Sequence, residues 1–204
     1  MKTTFLYCIS KRITDIIISI IGLIVLFPIF IIVSVLIKIS SKGPIFYKGR
    51  RSGKFERPFY IYKFRSMYLG SETLAGSTSR NDPRITFIGK FIRKFKIDEL
   101  PQLLNVLMGK MSLVGPRPEL PRYTKNYKDE ELLILQVKPG ITDLASIKFS
   151  NLNELIDDFN PDLSYENNVL KEKNKLRIEY VKSRKFWFDF RVILLTISKI
   201  LFNK

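Results

Sequence analysis

"KIDELPQLLNVL", Lys96 to Leu107, sets two adjacent carboxylates just ahead of a proline and an apolar run. Deeper than the first turn of a helix, a proline removes a hydrogen bond and clashes with the carbonyl four residues back. Pro101 therefore predicts a short helix that starts near Asp98 and ends at Gly109. Side chains on neighbouring helical positions point about 100° apart, so Asp98 and Glu99 do not share a face. Read locally, Asp98 is an N-cap, and Glu99 favours the helix dipole from the first turn. Read chemically, the pair follows a dense basic stretch and opens a helix N-terminus, where backbone N–H groups hold phosphate. A carboxylate beside bound phosphate is unfavourable unless it coordinates a cation or attacks the phosphorus.

The whole chain narrows that chemistry. It has 204 residues, a formal net charge of +16 and 46% hydrophobic residues. That length suits one domain with a membrane element, and the apolar content can build a core. The cationic excess calls for an anionic partner: nucleic acid, a membrane surface or a phosphorylated small molecule. There is no histidine. This excludes Ser-His-Asp and Cys-His catalysis and any His-ligated metal. Cys8 is the single cysteine, which excludes an internal disulfide and a multi-Cys zinc site. It reads as a small residue near the N-terminus, with lipidation as the alternative. An Asp nucleophile with a neighbouring Glu and Mg²⁺ is one of few remaining designs for phosphoryl transfer.

"IIISIIGLIVLFPIFIIVSVLI", Ile16 to Ile37, carries no charge and has the length expected of a membrane helix. It is too long for a signal-peptide core. Lys2, Lys11 and Arg12 precede it; Lys38, Lys42, Lys48, Arg50 and Arg51 come after it. Positive charge marks the cytoplasmic side of a span, and here both flanks carry it. Pro28 sits near the middle and predicts a kink. Either the segment spans with a kink, or it enters, bends at Pro28 and returns to the same face. Ser19 and Ser34 can satisfy backbone groups locally.

Beyond it, "PIFYKGRR" and "FYIYKFRSM" alternate like strands around the turn "SGKFERP", a basic β-hairpin beside the membrane. "YLGSETLAGSTSRNDP" reads as a loop. "RITFIGKFIRKF" spaces Ile85, Ile88, Phe91, Ile92 and Phe95 helically among basic residues, which suits either an interfacial or an ordinary surface helix. "KMSLVGPRPELP" predicts a short strand and a proline-stiffened loop presenting Arg117. "DEELLILQVKPGITDLASI" reads as a helix, a Pro-Gly turn and a further segment. The polar stretch from Asn151 reads as helical and broken near Pro161. "FWFDFRVILLTISKILFNK" reads as an amphipathic helix docked to protein or lipid.

Taken in order, "KGPIFYKGRR", "FYIYKFRSM", "NDPRITFIGKFIRKFKIDELPQLLNVLMGKMSLVGPRPELP" and "KPGIT" resemble the bacterial sugar transferases, the monotopic polyprenyl-phosphate phosphoglycosyl transferases. The resemblance runs over nearly the whole chain, whose size matches the minimal form of that family. It implies transfer of a sugar 1-phosphate from a UDP-sugar to undecaprenyl phosphate with release of UMP. It implies a ping-pong mechanism in which Asp98 attacks the β-phosphorus, Glu99 assists and Mg²⁺ neutralises the diphosphate, with Asp98 also its protein ligand. This would be the first membrane step of O-antigen, capsule, exopolysaccharide or glycoprotein oligosaccharide synthesis. Lys63, Arg65, Arg84 and Arg117 match motif positions and suit phosphate binding. Each also fits a structural or membrane-surface role. The family is re-entrant, which favours the second membrane arrangement, at the cytoplasmic face of the bacterial inner membrane. Two departures stand out. The family's Ser-Pro bend is here Phe27-Pro28, without the hydroxyl, and "PGIT" continues as "DLASIKF".

The expected fold is mixed α/β, mostly α. A re-entrant membrane helix over residues 1–40 precedes a cytosolic catalytic domain over 41–204, with interfacial amphipathic helices and a short β-hairpin. Asp143, Asp157, Asp158 and Asp162 are expected on solvated faces. The competing expectation is a non-catalytic basic protein that binds anionic membrane lipid. No nucleic-acid-binding motif is present, and the apolar anchor argues against that partner. The sugar, the polyprenol length and the oligomeric state are not legible.

Overall fold

The computed structural model describes residues 5–71, 78, 82–152, 156 and 159–202. The apolar segment forms two helices, α1 (Phe5–Val25) and α2 (Phe27–Ser40), bent by 60° at Leu26. Pro28 lies in the first turn of α2, where its missing N–H is not needed. The break therefore falls two residues before the proline rather than at it. Neither helix alone is long and apolar enough to cross a membrane; the bent pair together is. Ser19 is buried, yet its hydroxyl has no hydrogen-bond partner.

Both ends of the bent pair are tied to the rest of the protein. Near the start of α1, Lys11 donates to the carbonyl of Val114 at 2.9 Å and to Asp189 at 2.6 Å. Arg12 donates to the carbonyls of Val106 and Leu107 at 2.7 and 2.8 Å. Asp15 accepts from the backbone N–H of Leu113 and the hydroxyl of Ser112. At the end of α2, Val33 and Ile37 pack on Phe64 and Ile92. Just beyond it, Arg65 donates to the carbonyls of Ser41 and Lys42. Residues 5–40 share core and polar contacts with the globular body.

The predicted hairpin is present. Strand β1 (Phe46–Ser52) pairs antiparallel with β2 (Pro58–Phe64), with Gly49 opposite Ile61. Period-two alternation buries Phe59 and Ile61 on the core side of β2. A second pair, β3 (Ser112–Val114) and β4 (Gly140–Thr142), is parallel. It brings "VGPRP" against "KPGIT". A Cβ at Gly140 would lie 2.1 Å from the backbone nitrogen of Gly115, so glycine is required for these chains to approach.

Helix α3 (Phe87–Lys94) begins at Thr86, whose hydroxyl accepts from the N–H of Gly89. It starts later than its apolar spacing suggests, because Ile85 instead bridges to Met67. It buries Ile92 and exposes Phe87, Phe91 and Phe95. The predicted helix at Asp98 is divided. A 3₁₀ turn over Ile97–Glu99 precedes α4 (Gln102–Leu107). Lys96, in the left-handed region with φ 56°, leads into that turn. Asp98 sits inside the turn and is not the N-cap expected of it.

After α5 (Pro121–Thr124), the segment read as a helix is a 3₁₀ coil, Asp129–Gln136. Helices α6 (Leu144–Lys148), α7 (Pro161–Tyr165), α8 (Lys171–Ser183) and α9 (Phe186–Phe202) complete the fold. The main core joins Phe59 and Ile61 with Leu103 and Val106 of α4, Val114, and Tyr180 and Val192 from α8 and α9. Trp187, Leu194 and Phe202 of α9 remain exposed. Most of the expected Gly/Ser/Thr-rich loop, together with Asp157 and Asp158, lies outside the described residues.

Candidate active site

Asn105, wholly buried on α4, fixes the site. Its amide accepts from the N–H of Tyr62 at 2.9 Å and donates to the carbonyl of Tyr60 at 2.8 Å. It thereby satisfies the free edge of β2 like a short strand. This clamp holds the 3₁₀ turn beside Lys63, the next residue along β2. Lys63 Nζ donates to Glu99 Oε1 at 2.9 Å and stands 4.0 Å from Asp98 Oδ2. Adjacent residues on this turn thus converge on one ammonium group.

Arg117 also donates to Glu99. Its other guanidinium branch donates to the carbonyl of Ile141 at 2.7 Å, and its backbone N–H donates to Asp143 at 2.9 Å. Burial pushes the Glu99 carboxyl up, but Arg117 and Lys63 outweigh it and hold it well below the usual carboxylate range. Burial raises the Asp98 carboxyl, and Glu99 adds to the rise while Lys63 opposes it. The two neighbours are driven apart: Glu99 stays a charged, committed partner, and Asp98 is the weaker acid, with Lys63 at 4.0 Å and weaker attraction from Arg93 and Lys96. Functional carboxylate pairs use such a separation, and buried ion-pair networks produce it as well.

Asp98 lines a cavity of about 200 Å³ with Lys63, Arg51 and Arg93. An adjoining cavity of about 170 Å³ shares those three cations and adds Arg117, Glu119 and Lys173. Both are strongly basic, as an anionic, phosphate-bearing ligand requires.

A buried network supports this wall. Arg177 Nη2 donates to Glu119 at 2.8 Å, and its Nε donates to Asp143 at 3.3 Å. Tyr165 donates to Glu119 as well. Burial pushes the Glu119 carboxyl up, but Arg177 and Lys173 hold it at about 2. Burial lowers the Lys173 ammonium to about 8, against the pull of Glu119. Asp143 is fully buried and caps α6 through the N–H of Ser146 at 2.6 Å. The expectation of a solvated face fails there, because Arg177 supplies the counter-charge. Asp162 is half-buried against Arg122 and Tyr123.

The predicted site residues divide. Asp98, Glu99, Lys63 and Arg117 come together. Arg65 lines the Asp98 cavity, but spends its guanidinium on the exit of α2. Arg84 donates through Nε and Nη2 to Asp82, a tight turn-internal pair. Pro28 lies at the far end of the bent helices. Sequence reasoning did not single out Arg51, Arg93, Asn105, Glu119 or Lys173. Their only local signal is charge or amide chemistry in otherwise ordinary contexts.

A family model described as "Bacterial sugar transferase" matches residues 6–203. The chain belongs to the bacterial sugar transferase family. It is 39% identical over 203 residues to an undecaprenyl-phosphate glucose phosphotransferase of Komagataeibacter xylinus, covering 96% of this chain and 36% of that protein. It is 35% identical to a UDP-glucose:undecaprenyl-phosphate glucose-1-phosphate transferase of Xanthomonas campestris pv. campestris, over 97% of this chain and 40% of the relative. It is also 35% identical to a UDP-N-acetylgalactosamine-undecaprenyl-phosphate N-acetylgalactosaminephosphotransferase of Aeromonas hydrophila, over 96% of this chain and 44% of the relative. This sugar transferase chain thus spans less than half the length of those curated relatives. Their names carry two different sugars.

Proposed function

We propose that the protein transfers a sugar 1-phosphate from a UDP-sugar to undecaprenyl phosphate and releases UMP. The observation that carries this is the placement of Asp98 in a cationic cavity beside Lys63, which lines both adjoining cavities and is held by Glu99. Asp98 attacks the β-phosphorus of the donor. A bond forms from its carboxylate oxygen to phosphorus as the bond to the bridging oxygen breaks, and UMP leaves with that oxygen. The phosphate of the lipid then attacks the same phosphorus, and Asp98 departs as carboxylate. Glu99 keeps Lys63 and Arg117 in place, so their charge faces the transferring phosphoryl group.

Mg²⁺ fits this site as an ion that arrives with the donor. Among the described residues, no three ligating side chains converge on a metal. Magnesium, however, needs only one or two protein carboxylates when phosphate and water complete its shell. Asp98 is the carboxylate left for it. Bound there, the ion would neutralise charge on the diphosphate.

The bent pair α1–α2 is read as re-entrant. Its two ends are held by one globular body, through Lys11, Arg12 and Asp15 on one side and Arg65 on the other. Its apolar middle, with Ile20, Ile24, Phe27 and Ile31, is exposed. Phe87 and Phe91 of α3 and Trp187 of α9 extend the exposed apolar surface, beside basic groups that suit anionic headgroups. On this reading the protein sits at the cytoplasmic face of the bacterial inner membrane, which the exposed apolar middle of the bent pair supports.

The test is UMP release from a panel of UDP-sugars with Mg²⁺ and undecaprenyl phosphate, for wild type and Asp98→Asn. Exchange of labelled UMP into the UDP-sugar without lipid reports the covalent intermediate. Lipid-dependent release and lipid-independent exchange, both lost in the variant, support the mechanism. Release without exchange would replace it by direct transfer. Release that survives in the folded variant would return Asp98 to a structural role.

A further inference from the structure

A third cationic cavity, about 260 Å³, lies between the start of α1 and the globular body. It shares no lining residue with either cavity of the candidate active site. Its cations are Lys11 and Arg12 of α1, Lys54 of the hairpin turn, Lys138 ahead of β4, and Arg184 after α8. Asp15 is the carboxylate in its lining, and it is occupied by Ser112 and Leu113. Lys11 is paired with Asp189.

The other four cations form no ion pair among the described residues. Arg12 gives its guanidinium to two neutral carbonyls, and Arg184 gives a branch to the carbonyl of Val181. Among the described residues, neither Lys54 nor Lys138 forms an ion pair. Arg12 Nη2 and Lys138 Nζ lie 3.5 and 3.6 Å from the point where a Cβ on Gly109 would stand. Burial lowers the Lys138 ammonium and repulsion from Arg12 lowers it further, against the pull of Asp15, with a smaller repulsion from Lys54. Five cations around an open cavity, with Asp15 as the carboxylate in its lining, leave an excess of positive charge that makes a receptor for an anion.

The surroundings indicate which anion. Phe5, Leu6, Ile9 and Ile13 of α1 are exposed beside this cavity, and Trp187 and Phe190 of α9 are exposed on the helix that pairs with α1. Aromatic and aliphatic side chains next to clustered Lys and Arg are the arrangement that meets a headgroup layer.

We propose that this cavity binds a phosphate-bearing anion at the membrane surface, the headgroup of an acidic phospholipid, separately from the sugar-transfer site. The proposal rests on the membrane seating of the bent pair and α9, and not on the transfer chemistry. Lys54 and Lys138 grip the phosphate from the globular body and Arg12 from α1. The bound headgroup would join α1 to the hairpin turn and to the segment leading into β4, across a gap to which all three contribute cations.

The experiment uses the full chain in a neutral detergent, with phosphatidylglycerol, phosphatidylcholine or inorganic phosphate added, and native mass spectrometry to read what is retained. Wild type is expected to retain phosphatidylglycerol and not phosphatidylcholine. Lys54→Gln combined with Lys138→Gln should weaken retention about 30-fold, from about 1 kcal/mol for each lysine. If inorganic phosphate displaces the lipid at equal concentration, the site stands and its ligand is free phosphate. Equal retention of both lipids, or equal retention by wild type and the double variant, overturns the proposal. Sedimentation with phosphatidylcholine vesicles reports the membrane seating independently. UMP release by the double variant, expected unchanged, reports the transfer reading independently.

Discussion

Lys63 Nζ donates to Glu99 Oε1 at 2.9 Å, across 36 positions of sequence. This contact decides which carboxylate of the adjacent pair is a partner and which is left for chemistry. Glu99 is held by Lys63 and Arg117, while Asp98 is 4.0 Å from its nearest cation. Asp98→Asn should therefore abolish UMP exchange, by about 10⁴-fold or more, with an unchanged melting temperature. Glu99→Gln should lower both activity and melting temperature, because it leaves two part-buried cations without their charge. Melting and exchange measured on both variants check the split. A fully stable Glu99→Gln protein would contradict it.

Asn105 is the geometric cause of that contact. Asn105→Ala would strand an N–H and a carbonyl of β2, at a cost of about 1–3 kcal/mol for each buried unsatisfied group. Lys63 should then lose register with Glu99. The expected result is a lower melting temperature together with a loss of kcat, whereas a purely structural role would leave the residual folded protein fully active.

Lys173 gives a pH dependence. Its ammonium is lowered by burial to about 8 from the ordinary 10.5. The folded protein thus releases this proton before the unfolded chain does. Between about pH 8 and 10.5 the unfolded state binds more protons, and this group's contribution to stability rises with pH. Over the same rise the cavity lined by Arg117, Glu119 and Lys173, which adjoins that of Asp98, loses a positive charge. The KM for the UDP-sugar should increase as pH passes about 8 while kcat changes less. Lys173→Met should show a high KM that does not respond to pH in this range.

Asp143 carries structure that Arg117 depends on. It caps α6, accepts from the backbone N–H of Arg117 and pairs with the buried Arg177. Breaking a buried ion pair by removing one partner costs about 3–5 kcal/mol. Asp143→Ala should lower stability by about that amount in chemical denaturation. A cost near zero would mean that Glu119 alone neutralises Arg177.

Re-entrance is checked by labelling single cysteines at Leu6 and Lys42 in a Cys8→Ser background. Both should be unreactive in intact cells and reactive after permeabilisation. Labelling of the Leu6 position alone from outside would establish a span.

Local sequence carries much of this. The hairpin, the break next to Pro28, the late helices and the Asp98–Glu99 pair derive from alternation, proline geometry and helical spacing, each a property of a few neighbouring residues. The features that sequence misleads on depend on remote partners. The helix expected at Asp98 gives way to a 3₁₀ turn, led in by Lys96 in the left-handed region, and that turn aims both carboxylates at Lys63. Asp143 resembles a surface residue in sequence because its counter-charge, Arg177, lies 34 positions away. Arg84 resembles a phosphate ligand, and its fork grips Asp82 instead.

The sequence by itself determined which residue types are available: no histidine, an acidic pair in a basic chain, and an apolar segment with positive charge on both flanks. The ordered motifs also determined the family. The tertiary structure decided the acidity of each carboxylate, the amide that clamps β2, and the cationic cavity beside α1. The physical reason is that burial and charge act through space. A pKa or an uncompensated cation is set by whatever lies within a few ångströms, and here those neighbours come from distant parts of the chain.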